Sequence, residues 1–334
     1  MTLLQKDDLA AQIEGDFLAL LDDYHSLDEV WDNELDRQIH EWYADPPKVF
    51  PKRPYFSPSS ANSCPRELYH KAKREQRDNS RRQPHQGRWT RIGTVIGDVI
   101  QRDLLFIEKH YERLTGNIPR FRFLRTKDGR PAFEDFAKLN REVNVGNQKF
   151  YLFGAPDGIM EYITDDGEKI RVGLEIKSKQ TTPARTSAFS MRDAEESHAK
   201  QTVAYSYMYD CDYYIVLYLN AAKQRWVMTD EEYEKTPDLR AFCYHITKAD
   251  RTELLLDLAD IQAMIDSDSP PKMDIEKYTF NNYKDATAKS LTDEELAEVE
   301  RQVETIVNSS LPAWKKNSVK EALEDVKKRR GDSV

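Results

Sequence analysis

Residues 142–179 read EVNVGNQKFYLFGAPDGIMEYITDDGEKIRVGLEIKSK. Valine, isoleucine, phenylalanine and tyrosine recur through it, punctuated by Gly146-Asn147 and Asp166-Gly167, so it predicts three or more antiparallel strands joined by tight turns. In the last strand, Val172-Gly173-Leu174-Glu175-Ile176-Lys177, the pleat sends Val172, Leu174 and Ile176 to one face and Glu175 and Lys177 to the other. At ~3.4 Å per residue, the carboxylate and the ammonium then sit about 7 Å apart on one surface. Asp157, in Ala155-Pro156-Asp157-Gly158, falls late in the preceding strand or in its bend, where it converges on Glu175 if the strands pair. Two carboxylates make a hard, oxygen-rich site suited to Mg²⁺ or Mn²⁺. Such a cation polarises a phosphoryl oxygen and lowers the pKa of bound water, and Lys177 is placed to orient that water or offset transition-state charge. A solvated face of an antiparallel sheet produces the same Glu-x-Lys triplet often, so the triplet alone assigns nothing.

Working outward, the period changes. A helix is expected at about 192–210, with Gln201 and Tyr205 four residues apart on one face with His198, so a polar line runs beside the sheet. Strands are expected at DYYIVLYLN, RWVMT and AFCYHIT, and mostly helix from Lys248 onward. Upstream, Ile92, Val95, Ile96, Val99, Ile100, Leu104, Ile107, Tyr111 and Leu114 predict a long helix from about Trp89 to Leu114. Leu9, Ile13, Phe17 and Leu20, then Val30, Trp31, Leu35, Ile39 and Trp42, predict helices in the first ~45 residues. Prolines at 46, 47, 51 and 54 mark a linker over 46–58, followed by a short basic helix after Ser57-Pro58-Ser59-Ser60.

The chain has 334 residues, 39% of them hydrophobic and 33% charged, with 17 Tyr, 13 Phe and 5 Trp. That composition builds a core and argues against wholesale disorder, despite a mean hydropathy of -0.78. No apolar run approaches the ~20 residues of a membrane span. The N-terminal MTLLQKDDLAAQIEGD carries early acids where a signal peptide carries bases, so a cytoplasmic place is expected. Cys64, Cys211 and Cys243 are too scattered for a disulfide framework or a CxxC metal site.

Net charge is -9, which argues against a polyanion partner until its distribution is considered. Residues 1–46 hold thirteen acids and two bases, a balance of -11 that leaves +2 for the rest. Residues 71–91, KAKREQRDNSRRQPHQGRWTR, hold Lys71, Lys73, Arg74, Arg77, Arg81, Arg82, Arg88 and Arg91 against Glu75 and Asp78. A second basic stretch, RFRFLRTKDGR, holds Arg120, Arg122, Arg125, Lys127 and Arg130 with aromatics between. Each is either a solvated loop or a phosphate track whose aromatics stack unpaired bases. For the acidic segment three readings stand: a solvated extension, an oligomerisation arm, or an acidic mimic of a DNA strand.

In the order Gly154-Ala155-Pro156-Asp157-Gly158, Leu174-Glu175-Ile176-Lys177 and Gln201-Thr202-Val203-Ala204-Tyr205, the chain resembles the PD-(D/E)xK nuclease superfamily, specifically its RecB-like exonuclease branch. The resemblance covers about 55–220 and includes the entry segment from Ser57 through Cys64-Pro65-Arg66-Glu67-Leu68-Tyr69. Each motif is weak, and the ordered set is fairly specific. The resemblance implies an α/β fold with a restriction-endonuclease-like core, a mixed central sheet flanked by helices, and helical N- and C-terminal extensions. It implies metal-dependent hydrolysis of DNA phosphodiesters, with Asp157, Glu175 and the Ile176 backbone carbonyl as metal ligands and Lys177 as the catalytic lysine. Gln201 and Tyr205 match positions that contact DNA or support the site.

Two features depart from that branch. The histidine that commonly follows a glycine by four residues on the first long helix is missing: Gly97 follows Gly93, and Gln101 follows Gly97. Either Gln101 or Asp98 completes the metal shell, or Gly93 and Gly97 serve to let the helix pack closely on the sheet. Related CRISPR-adaptation nucleases hold an iron-sulfur cluster with three trailing cysteines, which this chain lacks, so no cluster is expected.

The expectation is therefore a Mg²⁺- or Mn²⁺-dependent exonuclease acting in recombination or DNA end processing, with a phage or other mobile element as a source that fits. A structure-specific or restriction-like endonuclease, and a non-catalytic DNA-binding or inhibitor protein on a degenerate nuclease fold, are the alternatives. Expected boundaries are 1–50 for an acidic helical extension and linker, 51–265 for the nuclease domain and 266–334 for a mostly helical C-terminal region. DNA contacts are expected from Lys73, Arg74, Arg77, Arg81, Arg82, Arg88, Arg91, Arg122 and Arg125. Linear duplex or single-stranded ends are the expected partners, with a single-strand annealing or recombination protein and a homo-oligomer as further expectations, and no membrane.

Overall fold

The computed structural model describes residues 4–78, 82–223 and 225–331. In chain order the elements are α1 (Asp8–Ser26), α2 (Asn33–Ala44), β1 (Tyr55–Phe56), α3 (Pro65–Ala72), α4 (Pro84–Thr115), β2 (Phe121–Phe123), α5 (Glu134–Ala137), β3 (Leu139–Val145), β4 (Gln148–Gly154), β5 (Gly158–Ile163) and β6 (Lys169–Lys179). They continue as α6 (Glu196–Tyr209), β7 (Tyr213–Asn220), α7 (Asp230–Lys235), β8 (Leu239–His245), α8 (Lys248–Asp266), α9 (Lys284–Lys289), α10 (Asp293–Asn308) and α11 (Ala313–Arg330). The fold is α/β, with a mixed sheet flanked by helices and helices at both ends of the chain. Among the described residues, no helix is long and apolar enough to cross a membrane.

Two compact units divide the chain: Met1–Pro51, Arg82–Arg141 and Leu152–Leu254 form the first, and Lys52–Arg81, Glu142–Tyr151 and Leu255–Val334 the second. This partition differs from one cut at residues 50 and 265. Compactness follows contacts between distant segments, and those are invisible in chain order.

The first unit is built on a five-stranded sheet in the order β2-β5-β6-β7-β8. Strands β2, β5 and β6 are antiparallel neighbours, β6 and β7 run parallel, and β8 returns antiparallel to β7. The parallel step needs a crossover, which α6 supplies. One face of the sheet carries Val172, Leu174, Ile215, Leu217 and Cys243, which join Phe17 of α1 and Ile100 and Leu104 of α4 in one core. The other face is covered at β6 and β7 by α6. Gly173 is required there: its register partner is Tyr214, and a Cβ on Gly173 would lie 2.0 Å from that ring. With no side chain in the way, Tyr214 lies across β6, and the Tyr205 ring of α6 stacks near it at 6.4 Å.

The acidic N-terminal segment, expected as an extension, has its apolar stripe in this core. Ala10, Ile13, Phe17 and Leu21 are wholly buried, and Phe17 meets Phe121 edge-on at 5.0 Å. Several of its carboxylates are bonded as well: Asp16 accepts from Tyr162 Oη at 2.6 Å, Asp36 from Arg102 Nε at 2.8 Å, and Glu14 from the backbone of Cys243 at 2.8 Å. The helical spacing announced a buried face, but the partners that cover it lie on α4 and the sheet.

The second unit has its own core, which includes Cys64, Met273, Tyr278, Val299, Val303, Val319 and Val326. Arg66 of α3 is buried and donates to Glu295 Oε1 of α10 at 2.7 Å. The turn between β3 and β4 falls at Gly146, whose φ of 56° is the left-handed conformation that glycine tolerates.

Other local expectations shift. The long helix begins at Pro84, whose missing N–H suits a first turn. No strand forms at 225–229 among the described residues; Trp226 and Val227 are instead exposed. Apolar content there signalled a strand that has no neighbouring strand to bond. Conversely, Phe121–Phe123 within the second basic stretch is a strand, with both phenylalanines buried.

Phe17→Ala is expected to destabilise the protein by about 3–5 kcal/mol, the cost of emptying a buried aromatic site. Urea unfolding followed by circular dichroism measures it. A loss below about 1 kcal/mol, the level of a surface substitution, would show that α1 is peripheral to the core.

Candidate active site

Strand lengths create the opening in which the candidate residues meet. β5 starts at Gly158 opposite Leu174, while β6 continues beside β7 as far as Lys179. The β5 side of β6 is thus left without a strand partner beyond Leu174. Asp157, one residue before β5, fills the gap: its Oδ2 accepts the backbone N–H of Ile176 at 2.6 Å. The N–H and C=O of a strand residue point to the same edge, so the Ile176 carbonyl faces the same opening.

Glu175 lies on the α6 side of β6 and is only 2% exposed. Its Oε1 meets Lys177 Nζ at 2.5 Å and accepts from Gln201 Nε2 at 2.8 Å. Lys177 Nζ also donates to Gln201 Oε1 at 3.1 Å, closing a triangle. Tyr205, one turn further along α6, donates to the carbonyl of Ala155 at 2.5 Å. It thereby holds the bend that delivers Asp157. Of the two alternatives on α4, Gln101 enters the site: it is buried, and its Nε2 donates to the Asp157 carbonyl at 2.8 Å. Asp98 is exposed, in the lining of a cavity of about 290 Å³ with Tyr43 and Arg102. Gly93 is a close-approach position, where a Cβ would lie 3.1 Å from Ser178 Oγ; Gly97 has open space around it. His198 bonds Tyr218 Oη at 2.8 Å and lies 3.7 Å from Glu195, not against Asp157 or Glu175.

Glu134 was not singled out by sequence. It opens α5 with φ of 47°, a strained value for a glutamate, and its N–H donates to the Pro156 carbonyl at 2.7 Å. Its Oε1 faces Gln101 Nε2 at 3.4 Å. No motif surrounds it, and the backbone conformation that aims it cannot be read from residue type.

The electrostatics are those of crowded anions. Burial, then the charge of Glu175, raises the Asp157 pKa against the opposing Ile176 N–H and Lys177. Burial also raises Glu175, opposed first by Lys177. Glu134 is pushed up to about 7 by burial, then by Asp157. Glu175 Oε2 and Gln101 Oε1 are buried without a hydrogen-bond partner. Among the described residues, no group of three or more His, Cys, Asp or Glu side chains is arranged to hold a metal by itself. Asp157, Glu175, the Ile176 carbonyl and the orphaned oxygens are nevertheless hard oxygen donors, of the kind that would suit Mg²⁺ or Mn²⁺.

The expected DNA-contacting residues divide. Lys73 is bound to Asp268 at 2.7 Å, and Arg77 donates to Asn282 Oδ1 at 2.6 Å. Arg122 pairs with Glu161 at 2.8 Å and Arg125 with Glu108 at 2.5 Å, so these two already have carboxylate partners. Arg74 takes a left-handed φ of 61° in the turn after α3. Arg82, Arg88 and Arg91 are exposed, and Arg81 lies outside the described residues. The three cysteines are buried and free.

Neither a family model nor a curated protein matches the chain. Among solved structures, the crystal structure of SSO0001 is similar over 75% of this chain and 91% of its own, at 11% identity and a TM-score of 0.40. An alkaline exonuclease, LHK-Exo from Laribacter hongkongensis, is similar over 64% and 90%, at 13% identity and a TM-score of 0.32.

Glu134→Gln tests the crowding. A carboxyl whose folded pKa exceeds its unfolded value loses stability as pH rises from the unfolded value toward the folded one. The Gln variant is therefore expected to exceed wild type in stability by on the order of 1–2 kcal/mol at pH 8 without divalent metal, and to match it near pH 4. Thermal unfolding at the two pH values measures this; equal Tm differences at both would remove the electrostatic cause.

Proposed function

We propose that this chain is a divalent-metal-dependent deoxyribonuclease, acting as an exonuclease on DNA ends. One observation carries the reading: Asp157, Glu175 and Lys177 are brought to one opening at the start of β5 and the middle of β6, with Glu175 almost wholly buried and one of its oxygens unpartnered. A buried, half-satisfied carboxylate beside a second one is costly unless a cation completes it.

Asp157, Glu175 and the Ile176 carbonyl would hold the cation, with Gln101 and Glu134 at its rim. A bound divalent ion supplies Lewis acidity toward a phosphoryl oxygen and toward the attacking water. Lys177, held by Gln201, places its ammonium where it can orient that water and offset charge developing on the phosphoryl group. Gln201 keeps Lys177 and Glu175 in register, and Tyr205 holds the bend before Asp157.

End-labelled linear duplex, single-stranded and covalently closed DNA, incubated with Mg²⁺, Mn²⁺ or EDTA, test the reading. Cleavage of linear DNA with metal, none with EDTA and sparing of closed circles are expected; cleavage of circles would make the enzyme an endonuclease. Lys177→Ala and Glu175→Ala are each expected to reduce cleavage by at least ~100-fold, the several kcal/mol that charge stabilisation of a phosphoryl transition state contributes. Near wild-type cleavage by purified, folded Lys177→Ala would overturn the site.

A further inference from the structure

Beyond Lys177 the end of β6 leads to two segments that carry exposed aromatic rings and arginines without ion pairs. On one side is the first part of α4. Gln180 Nε2 donates to the Trp89 carbonyl at 3.0 Å, and Gly93 abuts Ser178. At 100° per residue Trp89 projects from the same face of α4 as Gly93, Ile96 and Ile100. Ile96 and Ile100 are buried, whereas Trp89, one turn further out, is 51% exposed. Its ring meets His85 at 5.0 Å.

On the other side is the crossover from β6 to α6. The buried Asn220 at the end of β7 pins it, donating to the carbonyls of Thr182 at 3.0 Å and Pro183 at 3.1 Å and to Thr186 Oγ1 at 2.9 Å. Met191 is buried. Between these anchors Phe189 is left 80% exposed, with the Arg192 guanidinium 5.5 Å from its ring centroid. Three residues at ~3.4 Å place Gln180, and with it the Trp89 end of α4, about 10 Å from Lys177; Phe189 lies further along the crossover, where the N–H of Ala188 donates to the Lys235 carbonyl at 3.3 Å.

Several arginines at this end are left without a carboxylate partner. Among the described residues Arg82, Arg88, Arg91, Arg185 and Arg192 are exposed and take part in no ion pair, whereas Arg102, Arg120, Arg122 and Arg125 are all bound to carboxylates. Paired bases in a duplex keep their faces stacked on each other and cannot use a protein ring. Unpaired bases stack on aromatics while arginines follow their phosphates.

We propose that this surface, with Trp89 and Phe189 as its stacking platforms, binds an unpaired DNA strand, so that the substrate is single-stranded where it enters the site. The proposal rests on the nuclease reading and names its substrate form. Both rings project from anchored backbone, so their truncation removes a stacking face without opening a core.

Binding of a fluorescein-labelled oligo-dT and of a blunt hairpin duplex to the full-length protein, read by anisotropy in EDTA, tests it. Wild type is expected to bind the single strand more tightly than the duplex. Trp89→Ala and Phe189→Ala are each expected to weaken single-strand binding on the order of 10-fold, in line with the loss of one stacked base. Trp89→Phe should restore most of that loss, and duplex binding should be unaffected by any of the three. Arg192→Gln should lower the salt slope of single-strand binding by about 0.7. Unchanged single-strand affinity in both alanine variants, or equal losses on duplex, overturns the proposal. Cleavage of any DNA by wild type with Mg²⁺ or Mn²⁺, measured in parallel, judges the nuclease reading separately. If cleavage occurs while the aromatic variants bind like wild type, only the strand surface is wrong; if no metal supports cleavage, the nuclease reading fails and the EDTA binding result still decides whether the surface takes a single strand.

Discussion

A carboxylate as buried as Glu175 costs several kcal/mol unless neighbours compensate it, and much of the first unit is arranged around that compensation. Lys177 comes from the same face of the same strand, two residues on, and Gln201 from the helix above. For Gln201 to reach Glu175, α6 must lie close on the sheet. That closeness depends on Gly173, because a single methyl group there would collide with the Tyr214 ring. A position without a side chain thus sets the depth at which the polar triangle forms. One oxygen of Glu175 still has no partner, and this incompleteness is what points to an external cation.

The mismatch in length between β5 and β6 contributes the second half of the site. A β5 extended by two residues would pair with Ile176 and close the edge. Because it begins only at Gly158, the backbone of β6 is free for Asp157, and a backbone carbonyl is turned into the same space. The bend that brings Asp157 there is held from two directions, by Tyr205 at Ala155 and by Glu134 at Pro156. Neither residue needs to touch substrate to matter, since both fix where the carboxylate falls.

Charge is sorted in the same manner. Part of the acidic excess of the first 46 residues is engaged by Arg102, Lys109 and Arg120, cations of α4 and the sheet edge. Glu108 and Glu161 do the same for Arg125 and Arg122. A chain with a net charge of -9 can therefore keep unpaired arginines at the end of β6. Ion pairing elsewhere removes their competitors, and affinity for a polyanion follows the local interface rather than the total.

How much of this was legible in the sequence varies from residue to residue. The alternation in 172–177 showed the strand and placed Glu175 and Lys177 on one face, because a pleat permits nothing else. The spacing of Gln201 and Tyr205 placed both on one helical face, and the stripe from Ile92 to Leu114 announced α4. These are consequences of local geometry, which residue order determines. Glu134 was invisible because its role depends on a left-handed backbone and on a hydrogen bond to Pro156. The choice of Gln101 over Asp98 depended on which side of α4 faces Asp157. The fate of the basic residues depended on carboxylates far away in sequence: Arg122 and Arg125 found partners, whereas Arg88 and Arg91 did not. The sequence by itself determined the elements and the inward or outward sense of their side chains, through periodicities of two and of 3.6. Only the tertiary structure decided which of those side chains meet, because burial, pairing and the start of β5 against β6 are set by contacts between segments that the chain order keeps apart.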